Sequence, residues 1–298
     1  GIQLDLIGDS EEHIVVPIPH TIRVNSLEVK NCRVHVPDLD VPNPQVNIFT
    51  IFVERELDII NVHLNDGQKI LLSGSGMNGF ADSLSVGGLT FSNGNGLHLL
   101  DVSTKTLVLS GIFTRGSYIH IENSTVSSSA TFRTINMWNG STLLLNSSNF
   151  LGTVLISEVN LESNSSIAIN SSSFERGLEI NTVGVHATCD VSITSSLINS
   201  RDIKTASLVF LDTIFDSGRL CIRQSVIEGS HLGGALQFGT TTVHKAINSH
   251  HFELEDHLFI NASRITIADS VVSVPQGSNA YVVYNQYKYT RASKLYFV

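Results

Sequence analysis

Ile119, Leu143, Ile167 and Val191 each stand 24 positions after the last, and their neighbours keep the same step. Two positions on stand Ile121, Leu145, Ile169 and Ile193; five on, Ser124, Ser148, Ser172 and Ser196; seven on, Val126, Phe150, Phe174 and Ile198. All twelve apolar slots are filled, which at 42% hydrophobic composition has a chance of roughly 3 in 100,000. Half-way round each period a second unit has the same internal spacing: Ala130, Phe132, Ile135, Met137, then Val154, Ile156, Val159, Leu161, then Leu178, Ile180, Val183, Val185. The chain therefore alternates a shorter step with a longer one, 11 positions and then 13.

A fixed period of this length marks a stacked array, and apolar residues two apart within each unit mark strands rather than helices. Short strands that recur once per coil pair in parallel with their equivalents above and below, so inward side chains pile into continuous columns. The expected fold is all-β, a parallel β-solenoid of about 24 residues per coil. Ser124, Ser148, Ser172 and Ser196 form a structural ladder in it, set at a bend where hydroxyls can bond backbone or one another along the stack. A solenoid has no preferred size, so residues 1–298 read as a single domain: irregular first coils over 1–56, regular coils over 57–275 and a terminal section over 276–298.

Five of the six prolines, Pro17, Pro19, Pro37, Pro42 and Pro44, fall in the first part, and residues 35–47 read as a loop leaving the wall. In Leu27, Val29, Cys32, Val34 the cysteine takes the slot that serine holds in the regular units, which points to packing. The three cysteines, Cys32, Cys189 and Cys221, form no disulfide framework or zinc motif. Insertions over 201–207 and 240–251 read as protruding loops. The last section holds five of the six tyrosines, as terminal strands or as a cap over the open end. The chain begins at Gly1 without methionine and reads as a segment of a longer protein.

With 18 Lys and Arg against 27 Asp and Glu the formal charge is −9, and no basic cluster is present, which excludes nucleic acid as a partner. No apolar run approaches the ~18 residues of a membrane span, so this segment is expected to make no membrane contact. Only 15% of residues are charged while Ser, Asn and Thr abound, the composition of a wall whose outer side chains are neutral and polar.

A glycosidase needs two carboxyl groups about 5 to 9.5 Å apart, and coils stack at about 4.8 Å, so acids one or two regular periods apart are the ones to seek. Glu122, Glu158, Glu162, Glu175, Glu179 and Asp190 contain no such pair, so no catalytic residue is assigned to the regular wall. His250, His251, Glu253 and His257 are the densest candidate metal ligands, but their spacing matches no zinc signature, and neither a metal nor a cofactor is expected. Trp138 and the terminal tyrosines are candidates for stacking on sugar rings. Six Asn-x-Ser/Thr sequons occur, at Asn123, Asn139, Asn146, Asn164, Asn170 and Asn261. Asn146 and Asn170 lie one coil apart, too close for two glycans, so Asn123, Asn139 and Asn261 are the better glycosylation candidates.

The units LLLNSSNF, IAINSSSF, VSITSSLI, LCIRQSVI and ITIADSVV resemble those of the right-handed parallel β-helices of the pectin-lyase-like superfamily, over about residues 57–275. The resemblance implies fold, since the Asn-Thr-Asp, Asp-Asp, Gly-His-Gly and Arg-Ile-Lys patterns of its polygalacturonases are absent, as are stacked calcium-binding aspartates. Among non-catalytic members the sequons look most like the dispersed gene family surface proteins of trypanosomes. The expectation is an extracellular or cell-surface stalk or adhesin, a monomer or part of a longer chain, binding a glycan or a surface protein. The alternative is a polysaccharide lyase or glycoside hydrolase with a site built from the loops at residues 35–47 or 240–257.

Overall fold

The computed structural model describes residues 82–228 apart from 92, 93, 187, 201–206 and 217, together with the backbone of strands on either side and the side chains of Ile59, Ile70 and Leu72. Every element among the described residues is a strand, and the fold is the expected parallel β-solenoid. A nine-stranded sheet makes the first wall. Its central strands are Gly96–Leu100, Tyr118–Glu122, Thr142–Asn146, Ser166–Asn170, Asp190–Thr194 and Arg219–Arg223. Ile119 sits opposite Leu97 and Leu143, and Leu143 opposite Ile167, so the repeat is the pairing register itself. The step lengthens to 29 positions between the paired Asp190 and Arg219. Two further walls belong to one larger sheet, because long strands such as Thr125–Trp138 run through the bend between them.

Alternation puts one apolar set inside. Ile119, Ile121, Leu143, Leu145, Ile167 and Ile169 from the first wall meet Ala130, Phe132, Val154 and Ile156 from the second, all fully or almost fully buried. Because the strands are in register, like packs on like: Phe150 and Phe174 stack at 5.0 Å with planes 9° apart, close to the strand spacing. Each such side chain removed from water is worth about 1.5–3 kcal/mol.

Three bends close each coil, and each carries a residue in the left-handed region. At the first bend these are Asp101, Asn123, Ser147, Ser171, Ser195 and Gln224; at the second, Gly88, Gly111, Thr134, Glu158, Thr182 and Asp212. The third bend uses Gly94, Gly116, Asn139, Gly140, Asn164 and Thr188. After the first bend the backbone N–H of Ser124 donates to Ser148 Oγ (3.2 Å), Ser148 to Ser172 (3.2 Å), Ser172 to Ser196 (3.2 Å) and Ser196 to Ser225 (3.1 Å). Each hydroxyl donates in turn to a carbonyl two residues back, as Ser148 Oγ does to Asn146 (2.9 Å). A second hydroxyl column follows the third bend: Ser141 Oγ accepts from the Ser117 N–H (3.3 Å) and donates to the Trp138 carbonyl (2.7 Å). Buried Cys189 continues that column after Ser165.

Several placements differ from the reading of the sequence. Leu27 and Val29 pair with Leu57 and Ile59, which pair with Leu84 and Val86, so this unit belongs to the larger sheet and its fifth slot is not in the serine column. Cys32 itself lies outside the described residues. Ile265 and Ile267 pair with Leu236 and Phe238 in the larger sheet as well. Both half-coil units share one spacing, which is why spacing alone misplaces them. Residues 240–251 are not simply a protruding loop, since Thr242–His244 is a strand paired with Ile214–Asp216. At the end, Val283–Tyr284 pairs with Glu253 and Leu254, and Lys294–Phe297 with Arg264–Ile267.

Candidate functional site: an aromatic groove beside a polar network

The third wall is built from the segments that follow the second bend. There Ile112, Ile135, Val159 and Val183 point inward, which leaves Phe113, Asn136, Asn160 and Gly184 in one outward column. Two residues along, Arg115 sits opposite Trp138. Trp138 therefore lies one coil up and two residues along from Phe113, the diagonal position that long side chains can reach. Their rings are 6.3 Å apart and nearly parallel, at 15°. Phe113 is 42% exposed, a large apolar surface for a residue of a regular strand.

The pair forms one side of an open groove with a cavity volume of about 490 Å³. Thr90, Arg115 and Asn139 complete its rim. Arg115 is exposed and makes no ion pair among the described residues, in a chain of net charge −9. Asn139 stands at the third bend with φ 53°, and a Cβ built on the next residue, Gly140, would meet nothing within 4 Å. Polar side chains thus border the aromatic pair, and the bend beside it is open to solvent.

Further along the same wall the outward side chains form a network. Asn160 Nδ2 donates to Glu162 Oε1 (2.8 Å), the Asn160 Oδ1 contacts His186 Nε2 (3.0 Å), and His186 Nδ1 lies 3.8 Å from Asp216 Oδ2. Gly184 permits this: a Cβ there would press on Asn160 Oδ1 and His186 Nε2. Glu162 and Asp216 consequently stand two coils apart on one face, a pair that the six acids of the regular wall do not contain. The register that sets them there runs from Leu161 to Val185 and on to Phe215, and the second of these coils is longer than the first. A search confined to multiples of the regular period could not find them.

On the first wall a second cluster gathers. His98 Nε2 contacts Glu122 Oε2 (2.8 Å), and Asn146 Nδ2 donates to Glu122 Oε1 (3.1 Å). His120 meets His98 edge-on at 6.0 Å and Tyr118 at 4.4 Å. The Tyr118 ring lies across Gly96 of the coil below, where a Cβ would collide with it. The Asn146 hydrogen bond holds the Glu122 carboxyl below its ordinary range, against burial, with His98 and His120 acting in the same direction as Asn146. A carboxylate bonded on both oxygens and held ionised is a strut, poorly suited to donate a proton.

Of the residues singled out from sequence, Asn123 and Asn139 are exposed at bends, whereas the Asn146 amide is spent on Glu122 and Asn170 lies opposite Asn146. Asn261 occupies a strand position opposite Glu228, and Glu253 one opposite Cys221. His250, His251 and His257 lie outside the described residues, as does the loop at 35–47. Among the described residues no group of three or more His, Cys, Asp or Glu is arranged to hold a metal ion. The groove brings Trp138 together with Phe113 and Arg115, two residues the sequence did not single out.

No family model matches the chain, and no curated protein matches it. Among solved structures it is similar to a chain of the cryo-EM structure of the Vag8–C1 inhibitor complex, at 10% identity over 99% of this chain and 98% of that one, with a TM-score of 0.27.

Proposed function

We propose that the chain is a non-catalytic β-helical segment of an extracellular or cell-surface protein, a stiff stalk or adhesin that binds a glycan at the Phe113–Trp138 groove. The near-parallel pair of exposed Phe113 and half-buried Trp138 carries this reading. A pyranose ring has an apolar C–H face that packs on such rings, while its hydroxyls need the neutral donors and acceptors that Thr90 and Asn139 place on the rim. The cavity volume is within the range of small-ligand sites. Exposed sequons at Asn123 and Asn139 and a surface low in charge support placement outside the cell.

Trp138 is the chain's one tryptophan, so its fluorescence reports on the groove directly. Titration of unglycosylated chain with a panel of oligosaccharides is expected to shift that fluorescence for at least one class. Phe113→Ala should weaken the same ligand about tenfold, and Trp138→Ala should do so by calorimetry. Binding that survives both substitutions, or a panel without a ligand, would sink the assignment.

One observation favours a second reading, a carbohydrate-active enzyme. Glu162 and Asp216 stand two strand spacings apart, about 9.6 Å, near the upper limit for an inverting pair. His186 fills the space between them, where an inverting enzyme keeps its water. Release of reducing ends from a polysaccharide, abolished by Glu162→Gln, would favour this reading over the first.

A further inference from the structure

The groove and one of the sequons are the same place. Asn139–Gly140–Ser141 is an acceptor sequence, and Asn139 is itself part of the groove's rim, next in sequence to Trp138. We propose that the sugar attached to Asn139 folds back into this groove, so that the glycosylated chain occupies its own ligand site. The inference rests on the reading of the groove as a sugar site.

The geometry favours a covalent occupant here over Asn146 and Asn170, and of the exposed bend sequons Asn139 is the one that lines the groove. The Asn139 side chain is exposed, its backbone turns left-handed at φ 53°, and Gly140 follows at φ 78° with open space where a side chain would stand. The bend tip therefore leaves room for a bulky substituent, while the aromatic face begins one residue earlier. The Ser141 hydroxyl is buried in the folded chain and donates to the Trp138 carbonyl at 2.7 Å. Attachment during synthesis, before this bond forms, meets no such barrier. Asn146 offers no comparable seat, because its amide nitrogen already bonds Glu122 and Asn170 lies in register beside it.

In the attachment step the Asn139 amide nitrogen displaces a lipid-linked diphosphate from C1 of an N-acetylglucosamine. One N–C1 bond forms, the C1–O bond to the diphosphate breaks, and the amide gives up one proton. The co-reactant is the lipid-linked oligosaccharide of a secretory compartment. Once attached, the first sugar is held at an effective concentration that a free ligand must exceed to compete; for short flexible tethers this is in the millimolar range. A free glycan of micromolar affinity would then be excluded from the modified form.

The test uses the full chain secreted from a glycosylating eukaryotic host, beside Asn139→Gln and Ser141→Ala, which both abolish the sequon. Peptide mass analysis should find Asn139 occupied, and enzymatic deglycosylation should shift the Trp138 emission in the parent chain and leave it unmoved in Asn139→Gln. Phe113→Ala, which keeps both the sequon and the tryptophan, should reduce that shift. The ligand found for the unglycosylated chain should bind Ser141→Ala, which loses the sequon and keeps Asn139 on the rim, at least tenfold more tightly than the glycosylated parent. An empty Asn139, or an occupied one whose removal changes neither the emission nor ligand affinity, overturns the inference and leaves the binding site standing. A deglycosylation shift without any free ligand for Ser141→Ala overturns the binding function and leaves the seated glycan.

Discussion

At the scale of single residues, the solenoid is held by side chains that answer to the coil above or below. Glu122 shows how: Asn146, one coil up, and His98, one coil down, take its two oxygens. The bond from Asn146 is the leading cause of the lowered pKa, ahead of the two histidines. A carboxyl whose pKa is lower in the folded chain than in the unfolded one stabilises the fold above the unfolded value, and this contribution is lost as pH falls through the folded one. Asn146→Ala should therefore raise the Glu122 pKa toward 4.5 and shrink that pH-dependent contribution. Carbon-detected NMR titration of the Glu122 carboxyl checks it, and an unmoved pKa would show that the amide is not the cause. The residue scale was also the least legible from sequence. Phe113 and Trp138 are separated by one coil plus two places along the strand, and a search for equal positions passes over diagonal neighbours.

Among the elements, strands and bends divide the work: alternation decides which side chains go in, and the left-handed bend residues decide where the wall turns. Asn, Ser, Thr, Asp, Gln and Glu all serve at these bends, so their positions follow the register rather than a glycine signal. Gly152 is a different case, needed for space rather than for its dihedral. A Cβ there would run into the backbone carbonyl of Ser128 in the preceding coil. Gly152→Ala must push two coils apart at the approach to a paired strand, and a loss of about 2–4 kcal/mol in urea unfolding is expected. A loss below about 0.5 kcal/mol would mean that the coils separate there at no cost. The wall to which an element belongs was readable only in the strict part of the repeat. Where the step departs from the regular period, as at Leu27 and Ile265, two units with one spacing cannot be told apart until their pairing partners are known.

For the whole molecule, long-range order comes from repetition, since each coil contacts only its neighbours. The architecture was legible because a single register governs a long stretch of chain; the site was not, because it arises where side chains of adjacent coils differ. Repetition makes a direct prediction. Excising residues 147–170, one full period, joins Asn146 to Ser171 and keeps every column in line. That variant should retain a β-rich circular dichroism spectrum and a single cooperative melt. An excision of half that length brings a first-wall residue against a later wall and should leave the chain unfolded. If both variants behave alike, register is not what holds the stack.

The serine ladder carries a mechanical consequence. Its hydrogen bonds, like those of the strands, lie along the stacking direction, and each joins one coil to the next. A pull on the two ends along that direction loads these junctions in series, and the terminal junction, with a neighbour on one side alone, yields first. Each failure releases one coil, about 80 Å of extended chain, while the coils behind it keep their shape. Under tension such a tether would lengthen in steps and keep what remains folded.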